Sequence, residues 1–215
     1  KLILAPGAAP LRPNLPGVDL DRVFTLRNIP DTYRIKDFID QAKPRRVLVV
    51  GGGYIGVEMA ENLHRAGLDV TVVEFADHVI APLDFDMAAD VHNHLRQNGV
   101  RLFLGEGVTG IREEGDTLRV LLSKGQVFSD MVILSVGVRP ENSLALNAEL
   151  AINPRGAVIV DEHMQTSDPD IYAVGDVVEI VDFVTKEAGY IPLAGPANKQ
   201  ARIAADPING IASAY

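Results

Sequence analysis

The sequence predicts an α/β fold that is built on a parallel β-sheet. Between residues 47 and 104, short aliphatic runs alternate with segments of helical period, an order typical of parallel strands joined by crossover helices. The predicted strands and helices are Val47–Val50, Tyr54 to Ala66, Val70–Val73, Asp84 to Asn98 and Val100–Leu104. Turn signals without a helix then predict an antiparallel three-stranded meander, and Met131–Leu134 predicts a further buried strand.

The segment before residue 47 combines a proline-rich stretch with one short helix. Five prolines in the first thirty residues favour a linker, because proline is unsuited to helix interiors and central strands. Asp31 is the candidate N-cap of an amphipathic helix that ends at Ala42, and Lys1-Leu-Ile-Leu has the composition of a strand. Beyond the meander, Val158–Val160 and Tyr172–Val174 are further strand candidates.

The two long predicted helices each carry an apolar stripe and a glycine at the C-terminal end. The inward residues are expected to be Ile55, Met59, Ala60 and Leu63 in the first helix and Met87, Val91 and Leu95 in the second. Gly67 and Gly99 suit the left-handed position that follows a helix. His92 and His94 are two positions apart and so point to different faces, which favours a solvated helix surface over a shared metal site.

Composition excludes several classes of function. The net charge is −9 and the basic residues are scattered, which argues against general nucleic-acid binding. Cysteine is absent, so this chain has no disulfide, thiolate metal site or thiol nucleophile. The longest apolar runs are far shorter than the roughly twenty residues of a membrane span, and no signal peptide opens the chain. A cytoplasmic protein without a membrane segment is expected.

The strongest chemical signal is Val47-Leu-Val-Val-Gly51-Gly-Gly53-Tyr-Ile-Gly56, in which a strand leads into Gly-x-Gly-x-x-Gly and then a helix. In a Rossmann-like βαβ unit, Gly51 permits the tight turn, Gly53 lets the backbone approach a pyrophosphate and Gly56 allows the helix to pack on the strand. Free amides and the positive end of the helix dipole then face the phosphates. A tight βα turn without a ligand remains the alternative.

Glu74 ends the second strand, 23 positions after Gly51, close to the spacing of the acid that binds the adenosine ribose. A carboxylate accepts hydrogen bonds from both ribose hydroxyls and repels a 2′-phosphate. The sequence therefore favours NAD(H) over NADP(H).

With Leu134-Ser-Val-Gly137-Val-Arg-Pro140 and the meander, the glycine motif resembles the pyridine nucleotide-disulfide oxidoreductase superfamily, in which an NAD domain is inserted into an FAD domain. Two bracketing motifs of the FAD domain have counterparts in Leu2-Ile-Leu-Ala-Pro6-Gly7 and in Ile171-Tyr-Ala-Val-Gly175-Asp176. Phe24-Thr-Leu-Arg-Asn-Ile and Ile191-Pro-Leu193-Ala194-Gly-Pro narrow the resemblance to NADH oxidases, NADH peroxidases and coenzyme A-disulfide or persulfide reductases.

The resemblance implies a role for each matched residue. Tyr54 would gate the flavin face, Glu58 would lie near the nicotinamide, and Ile55, Gly137 and Val138 would join the glycines and Glu74 in binding NAD. Tyr54 could instead be an ordinary half-buried aromatic residue. The FAD of the full enzyme would contact Pro6, Gly7, Gly175, Asp176, Leu193 and Ala194.

The resemblance also implies that parts of a parent enzyme lie outside this chain. A complete family member begins with an FAD-binding glycine loop and carries a redox-active Cys, whereas no such loop precedes Gly7 and Cys is absent. This chain is therefore expected to lack the FAD phosphate loop and the dimerisation region of a homodimeric parent, to retain no FAD and to be inactive alone. A stand-alone, non-catalytic dinucleotide-binding module is the second hypothesis.

The expected organisation is an NAD(H)-binding domain flanked by partial FAD-domain segments. Residues 1–28 would be the first FAD-domain segment and linker, 29–148 the NAD(H)-binding domain and 149–205 the second FAD-domain segment. Residues 206–215 stay unassigned, either as part of a deleted C-terminal domain or as a cloning remnant.

Overall fold

The computed structural model describes residues 1–215, whose contacts divide into two compact units. We name residues 10–137 the central unit, and residues 1–9 with 138–215 the flanking unit. The strands are β1 Leu2–Leu4, β2 Ala8–Pro10, β3 Val23–Thr25, β4 Arg46–Val50, β5 Asp69–Glu74, β6 Arg101–Leu104, β7 Val108–Glu114, β8 Thr117–Leu122, β9 Gly125–Ser129, β10 Met131–Leu134, β11 Val138–Pro140, β12 Val158–Ile159, β13 Ile171–Ala173, β14 Val178–Val181 and β15 Ala188–Gly189. The helices are α1 Ile29–Ala42, α2 Tyr54–Arg65, α3 Phe85–Gln97, α4 Ser143–Asn147 and α5 Ala194–Ile208.

A five-stranded parallel sheet of order β3-β10-β4-β5-β6 forms the centre of the central unit. Successive side chains of its strands point to opposite faces of the sheet, so each strand contributes to two hydrophobic cores. Val47 and Val49 join the core that includes Ala60 of α2 and Leu95 of α3. Leu48 joins the core of the opposite face, which contains buried side chains of the meander strands β7 and β8. The predicted α/β class, parallel sheet and antiparallel meander are confirmed.

The proline-rich N-terminal stretch contains ordered strands, so its interpretation as a linker is wrong in part. Its three short strands are β1, β2 and β3, and β3 forms an edge of the five-stranded sheet by pairing with β10. The following helix begins at Ile29 rather than after Asp31. Asn28 is the N-cap, and Asp31 closes a capping box by accepting a hydrogen bond from the Asn28 N–H.

Helix α2 begins and ends where the sequence predicts. Gly67 adopts the left-handed conformation at φ +90°. The N–H of Leu68 donates to the Leu63 carbonyl, which closes the last turn. The buried face of this helix is formed by Gly56, Ala60 and Leu63, whereas Ile55 is 38% exposed.

Helix α3 has the predicted span, but its buried face is rotated by one position from the predicted stripe. The buried residues are Ala88, His92 and Leu95, and Met87 is 59% exposed. The prediction of a solvated surface is therefore wrong for His92 and correct for His94. Apolar periodicity missed this face because one of its core positions holds an imidazole.

The flanking unit combines short sheets with α4 and α5. β1 pairs in parallel with β13, β2 pairs with β11, and β14 lies between β12 and β15. Helix α5 continues to Ile208, and the N–H of Tyr215 donates to the Glu162 carbonyl, so residues from the predicted tail pack within this unit. The predicted domain boundaries stay predictions. None of the five helices combines the length and the apolar character that a membrane span requires.

Candidate functional site: a glycine bend at the N-terminus of α2

The turn between β4 and α2 requires glycine at two of its three predicted positions for steric reasons. Gly51 has φ +101°, and a Cβ there would overlap the Ser135 carbonyl. A Cβ on Gly56 would overlap the Gly51 carbonyl and lie 2.8 Å from the Ser135 hydroxyl oxygen. These two residues let the helix start directly against the strand, as the motif predicts.

Gly53 is different, because neither its backbone conformation nor its protein neighbours require glycine. Its φ is −71°, and a Cβ there would have no heavy atom within 4 Å. Gly53 is the N-cap of α2, and no side chain caps this helix. The first amides of α2 therefore adjoin open space that a side chain at residue 53 would occupy. This arrangement fits a diphosphate bound at the end of the helix.

Glu74 is held beside this bend by two backbone amides. Its Oε2 accepts a hydrogen bond from the Gly52 N–H at 2.5 Å, and its Oε1 accepts one from the Ala76 N–H at 2.7 Å. The side chain is half-buried at the end of β5. Each carboxylate oxygen can accept more than one hydrogen bond, so capacity remains for the hydroxyls of a ribose.

Gly52 stood at a variable position of the motif, yet it is the point where the following loop contacts the bend. A Cβ on Gly52 would lie 2.8 Å from Val79 Cγ1, and the Gly52 carbonyl accepts a hydrogen bond from the Ile80 N–H at 2.8 Å. We name residues 75–84, between β5 and α3, the ribose loop. Sequence reasoning missed this contact, and the run of three consecutive glycines, with Gly52 in the middle, was the available signal.

The ribose loop contains a strained residue and an exposed aromatic side chain. Ile80 has φ +53°, a region that β-branched residues rarely adopt. Phe75, the first residue after Glu74, is 83% exposed. The loop leaves its first side chain in solvent while its later backbone is hydrogen-bonded to the glycine bend.

The predicted nicotinamide residues lie on the first turns of α2. Tyr54 is 50% exposed and the Glu58 side chain is exposed, so both are accessible. Ile55 lies beside them at the start of the helix. Their predicted roles stay predictions.

The end of β10 adjoins the glycine bend through Ser135. The Ser135 hydroxyl donates to the carbonyls of Val50 and Gly51 at 2.9 and 3.0 Å. Gly137 follows with φ +106°, an exposed position, and its carbonyl accepts from the Leu11 N–H. Val138 begins β11 and is half-buried. The structure thus brings the sequence that precedes Gly137 to the bend.

A second Gly-x-Gly-x-x-Gly occurs at Gly105 to Gly110, and its context differs. It leads into strand β7 instead of a helix. No helix N-terminus therefore accompanies it, and the glycine spacing alone does not build a phosphate site.

In the flanking unit, the residues predicted to contact FAD follow two adjacent parallel strands. Pro6 and Gly7 come after β1, and Gly175 and Asp176 come after β13, whose residues pair in register with those of β1. The carboxyl ends of neighbouring parallel strands are where α/β folds bind ligands. A Cβ on Gly7 would meet no atom within 4 Å, so the space beside it is open.

Helix α5 and the β15 segment support the turn at Gly175. The Gly175 N–H donates to the Oε1 of Gln200, which is 2% exposed, at 2.7 Å. The Tyr190 hydroxyl donates to the Asp176 carbonyl at 2.8 Å. Burial, assisted by the Asp176 charge, raises the pKa of Tyr190 to about 12. Leu193 and Ala194, both exposed, are the N-cap and first residue of α5.

Comparison with known proteins identifies the family of the chain. The pyridine nucleotide-disulphide oxidoreductase family matches residues 1–201. The chain is 40% identical over 216 residues to an NADH oxidase of Methanocaldococcus jannaschii, covering 100% of this chain and 48% of that protein. It is 35% identical over 210 residues to a coenzyme A disulfide reductase of Staphylococcus haemolyticus, covering 98% of this chain and 46% of that protein.

A solved structure extends the agreement to three dimensions. The reduced CoADR-RHD protein of Bacillus anthracis superposes with a TM-score of 0.94 at 50% identity, covering 100% of this chain and 39% of that one. The chain spans about half the length of the curated relatives it matches. The predicted branch, with NADH oxidases and coenzyme A-disulfide reductases, is confirmed. The chain belongs to the pyridine nucleotide-disulphide oxidoreductase family.

Proposed function

We propose that this chain is the NADH-binding portion of an FAD-dependent NADH oxidoreductase, which passes electrons from NADH through FAD to a disulfide, persulfide, peroxide or oxygen acceptor. The observation that carries the proposal is the open space at Gly53, in front of the uncapped N-terminus of α2. Family membership supports the oxidoreductase class. The acceptor is left as a class because the chain spans about half of its relatives.

The pyrophosphate of NADH would be bound by the backbone at the start of α2. The first amides of a helix have no intrahelical partner, and the helix dipole adds a partial positive charge at the same place. Gly53 contributes by having no side chain, so the two phosphates can approach the amides of Tyr54 and Ile55. No lysine or arginine is needed for this contact, in keeping with the acidic composition.

The adenosine ribose would be bound by Glu74. The two amides that hold its carboxylate keep the oxygens beside the bend, so the side chain needs little ordering when the sugar arrives. A 2′-phosphate would meet this negative charge, which supports the proposed preference for NADH over NADPH. The nicotinamide half would extend to Tyr54 and Glu58, with Gly137 lining the groove.

The flanking unit would bind part of FAD in the full-length enzyme. When bound, FAD would supply the acceptor for hydride from NADH. The turn at Gly7, which follows β1, leaves backbone close to open space. Asp176, which follows the neighbouring strand β13, would accept a hydrogen bond from a ribityl hydroxyl. The FAD phosphate loop and the redox Cys would come from outside this sequence, so we propose that this chain is inactive alone.

Calorimetry with NADH tests the proposal, with Gly53→Leu as the critical variant and Gly125→Leu as its matched control. Gly125 also has an ordinary φ and open space at its Cβ, but it lies in the meander at the start of β9. We expect Gly53→Leu to weaken NADH binding by more than about ten-fold, because the side chain fills the phosphate space, and Gly125→Leu to bind like the parent. Absence of NADH binding by the parent, or equal binding by Gly53→Leu, would contradict the proposal.

A redox assay separates the stand-alone module from the flavoenzyme portion. The central unit contains the glycine bend and Glu74 within one compact body, which is the observation that favours a module. Adding NADH and an artificial electron acceptor to the full-length gene product decides between them. A flavin absorbance spectrum with NADH-dependent reduction supports the flavoenzyme, and its absence in that product supports the module.

A further inference from the structure

We propose that His92 is a positioning residue for the adenosine side of this site, because its imidazole holds the Val79 amide and thereby keeps the ribose loop against Gly52. The inference rests on the proposed NADH site and adds a residue to it that the glycine motif does not contain. The sequence did not indicate that His92 is buried, because the buried face of α3 is shifted by one position from the predicted apolar stripe.

The contact is buried and directional. His92 is 4% exposed on the inner face of α3, and its Nε2 accepts a hydrogen bond from the Val79 N–H at 3.1 Å. Val79 is fully buried, so no water can replace the imidazole as the acceptor for its amide. A buried amide without a partner is costly, which makes the loop conformation depend on this nitrogen.

A short series of contacts connects His92 with the carboxylate proposed to bind ribose. The Val79 side chain packs against Gly52, and the next residue, Ile80, donates its N–H to the Gly52 carbonyl. The Gly52 N–H in turn donates to Glu74. His92 thus acts on the ribose site indirectly, through Val79 of the ribose loop and Gly52 of the bend.

The strained backbone of Ile80 explains why the loop needs such an anchor. A β-branched residue at φ +53° persists only where the surrounding contacts fix it. Those contacts include two hydrogen bonds, one from the Val79 N–H to His92 and one from the Ile80 N–H to the Gly52 carbonyl. Loss of the bond to His92 releases the backbone on the N-terminal side of Ile80.

The hydrogen bond requires unprotonated Nε2, because a protonated nitrogen would direct its own hydrogen at the Val79 N–H. Burial and then the charges of Arg96 and His78 lower the pKa of His92, while Asp77 opposes them. Arg96 lies on the same helix, and Asp77 and His78 lie on the ribose loop. The lowered pKa keeps His92 neutral at neutral pH, and acidification removes the acceptor.

Three variants of the α3 histidines test the inference. His92→Phe keeps a ring but has no acceptor, His92→Gln offers an amide oxygen, and His94→Gln alters an exposed histidine of the same helix as the matched control. The ligand is ADP-ribose, which contains the adenosine and pyrophosphate without nicotinamide. The second readout is hydrogen exchange of the Val79 amide, which needs no ligand.

At about pH 8, we expect His92→Phe to weaken ADP-ribose binding about ten-fold and to accelerate Val79 exchange by a similar factor or more. His92→Gln should restore both, and His94→Gln should match the parent. Parent affinity should fall as the pH is lowered from about 7 towards 5, and this fall should be smaller in His92→Gln. His78 is present in both proteins, so their difference reports His92.

Unchanged Val79 exchange in His92→Phe, failure of His92→Gln to restore binding, or identical pH profiles for parent and His92→Gln would each overturn the inference. If no protein, the parent included, binds ADP-ribose while Val79 exchange still depends on residue 92, the proposed function fails and the positioning contact stands. The two failures are therefore distinguishable.

Discussion

The Glu74 carboxylate accepts a hydrogen bond from the Gly52 N–H at 2.5 Å, so the acid proposed to bind ribose and the bend proposed to bind phosphate are joined directly. Its other oxygen accepts from the Ala76 N–H at 2.7 Å. Glu74 is the last residue of β5, and its side chain therefore connects this strand with both the start of the ribose loop and the glycine bend. Changes at Glu74 should alter both binding and local structure.

Glu74→Ala should weaken NADH binding by about 1–3 kcal/mol, the scale of losing charge-assisted hydrogen bonds. Glu74→Gln keeps a hydrogen-bonding side chain but removes the charge, so it should lose less NADH affinity and narrow the discrimination against NADPH. Calorimetric titration with both nucleotides measures these effects. Unchanged NADH affinity in Glu74→Ala would refute the assigned role.

Gly56→Ala should destabilise the central unit, because the added Cβ would overlap the Gly51 carbonyl and approach Ser135. Helix α2 would have to move away from β4, and we expect the free energy of unfolding to fall by about 2 kcal/mol or more. Gly53→Ala is the control, since a Cβ there meets open space. Urea denaturation followed by circular dichroism should rank Gly56→Ala well below Gly53→Ala, and equal stabilities would contradict the packing argument.

Asp130 should make stability depend on acidic pH. Its carboxylate accepts from the amides of Arg45 and Arg46 and from Arg46 Nη2 at 2.7 Å. Burial acts to raise the pKa of Asp130, but these hydrogen bonds and the Arg46 charge outweigh it and lower the pKa below its ordinary value. Because the folded-state pKa is lower than the unfolded-state pKa, Asp130 stabilises the fold at neutral pH. This stabilisation is lost as the pH falls from the unfolded-state pKa through the folded-state pKa.

Asp130→Asn should therefore lower the free energy of unfolding by about 1–2 kcal/mol near neutral pH and show less loss of stability on acidification. Asp37→Asn, at an exposed position of α1, is the control. Denaturation at about pH 7 and at a series of pH values from about 4 down to about 2 measures both effects, because the lowered pKa places most of the loss below about pH 4. A parent and an Asp130→Asn variant with the same pH dependence would exclude this role for Asp130.

Much of the fold could be predicted because local chemistry and the apolar period agree. The span of α2 follows from Gly53 before it and Gly67 after it, and β10 follows from a four-residue aliphatic run. Strand β3 was not predicted, because three residues are too few to show a periodic apolar pattern. Its pairing with β10 also depends on residues more than a hundred positions away. The inner face of α3 was missed for a different reason, since His92 replaces an apolar residue in the core.

The sequence by itself determined the family, the glycine bend and the acid 23 positions after Gly51, because these depend on the order of residues along one βαβ unit. Tertiary structure alone decided that Gly52 contacts Val79, that Ile80 adopts a left-handed conformation and that His92 is buried as an acceptor. The physical reason is that hydrogen-bond partners across a packed interface carry no signature in local composition. Only the folded chain brings a helix imidazole to the amide of a loop thirteen residues earlier.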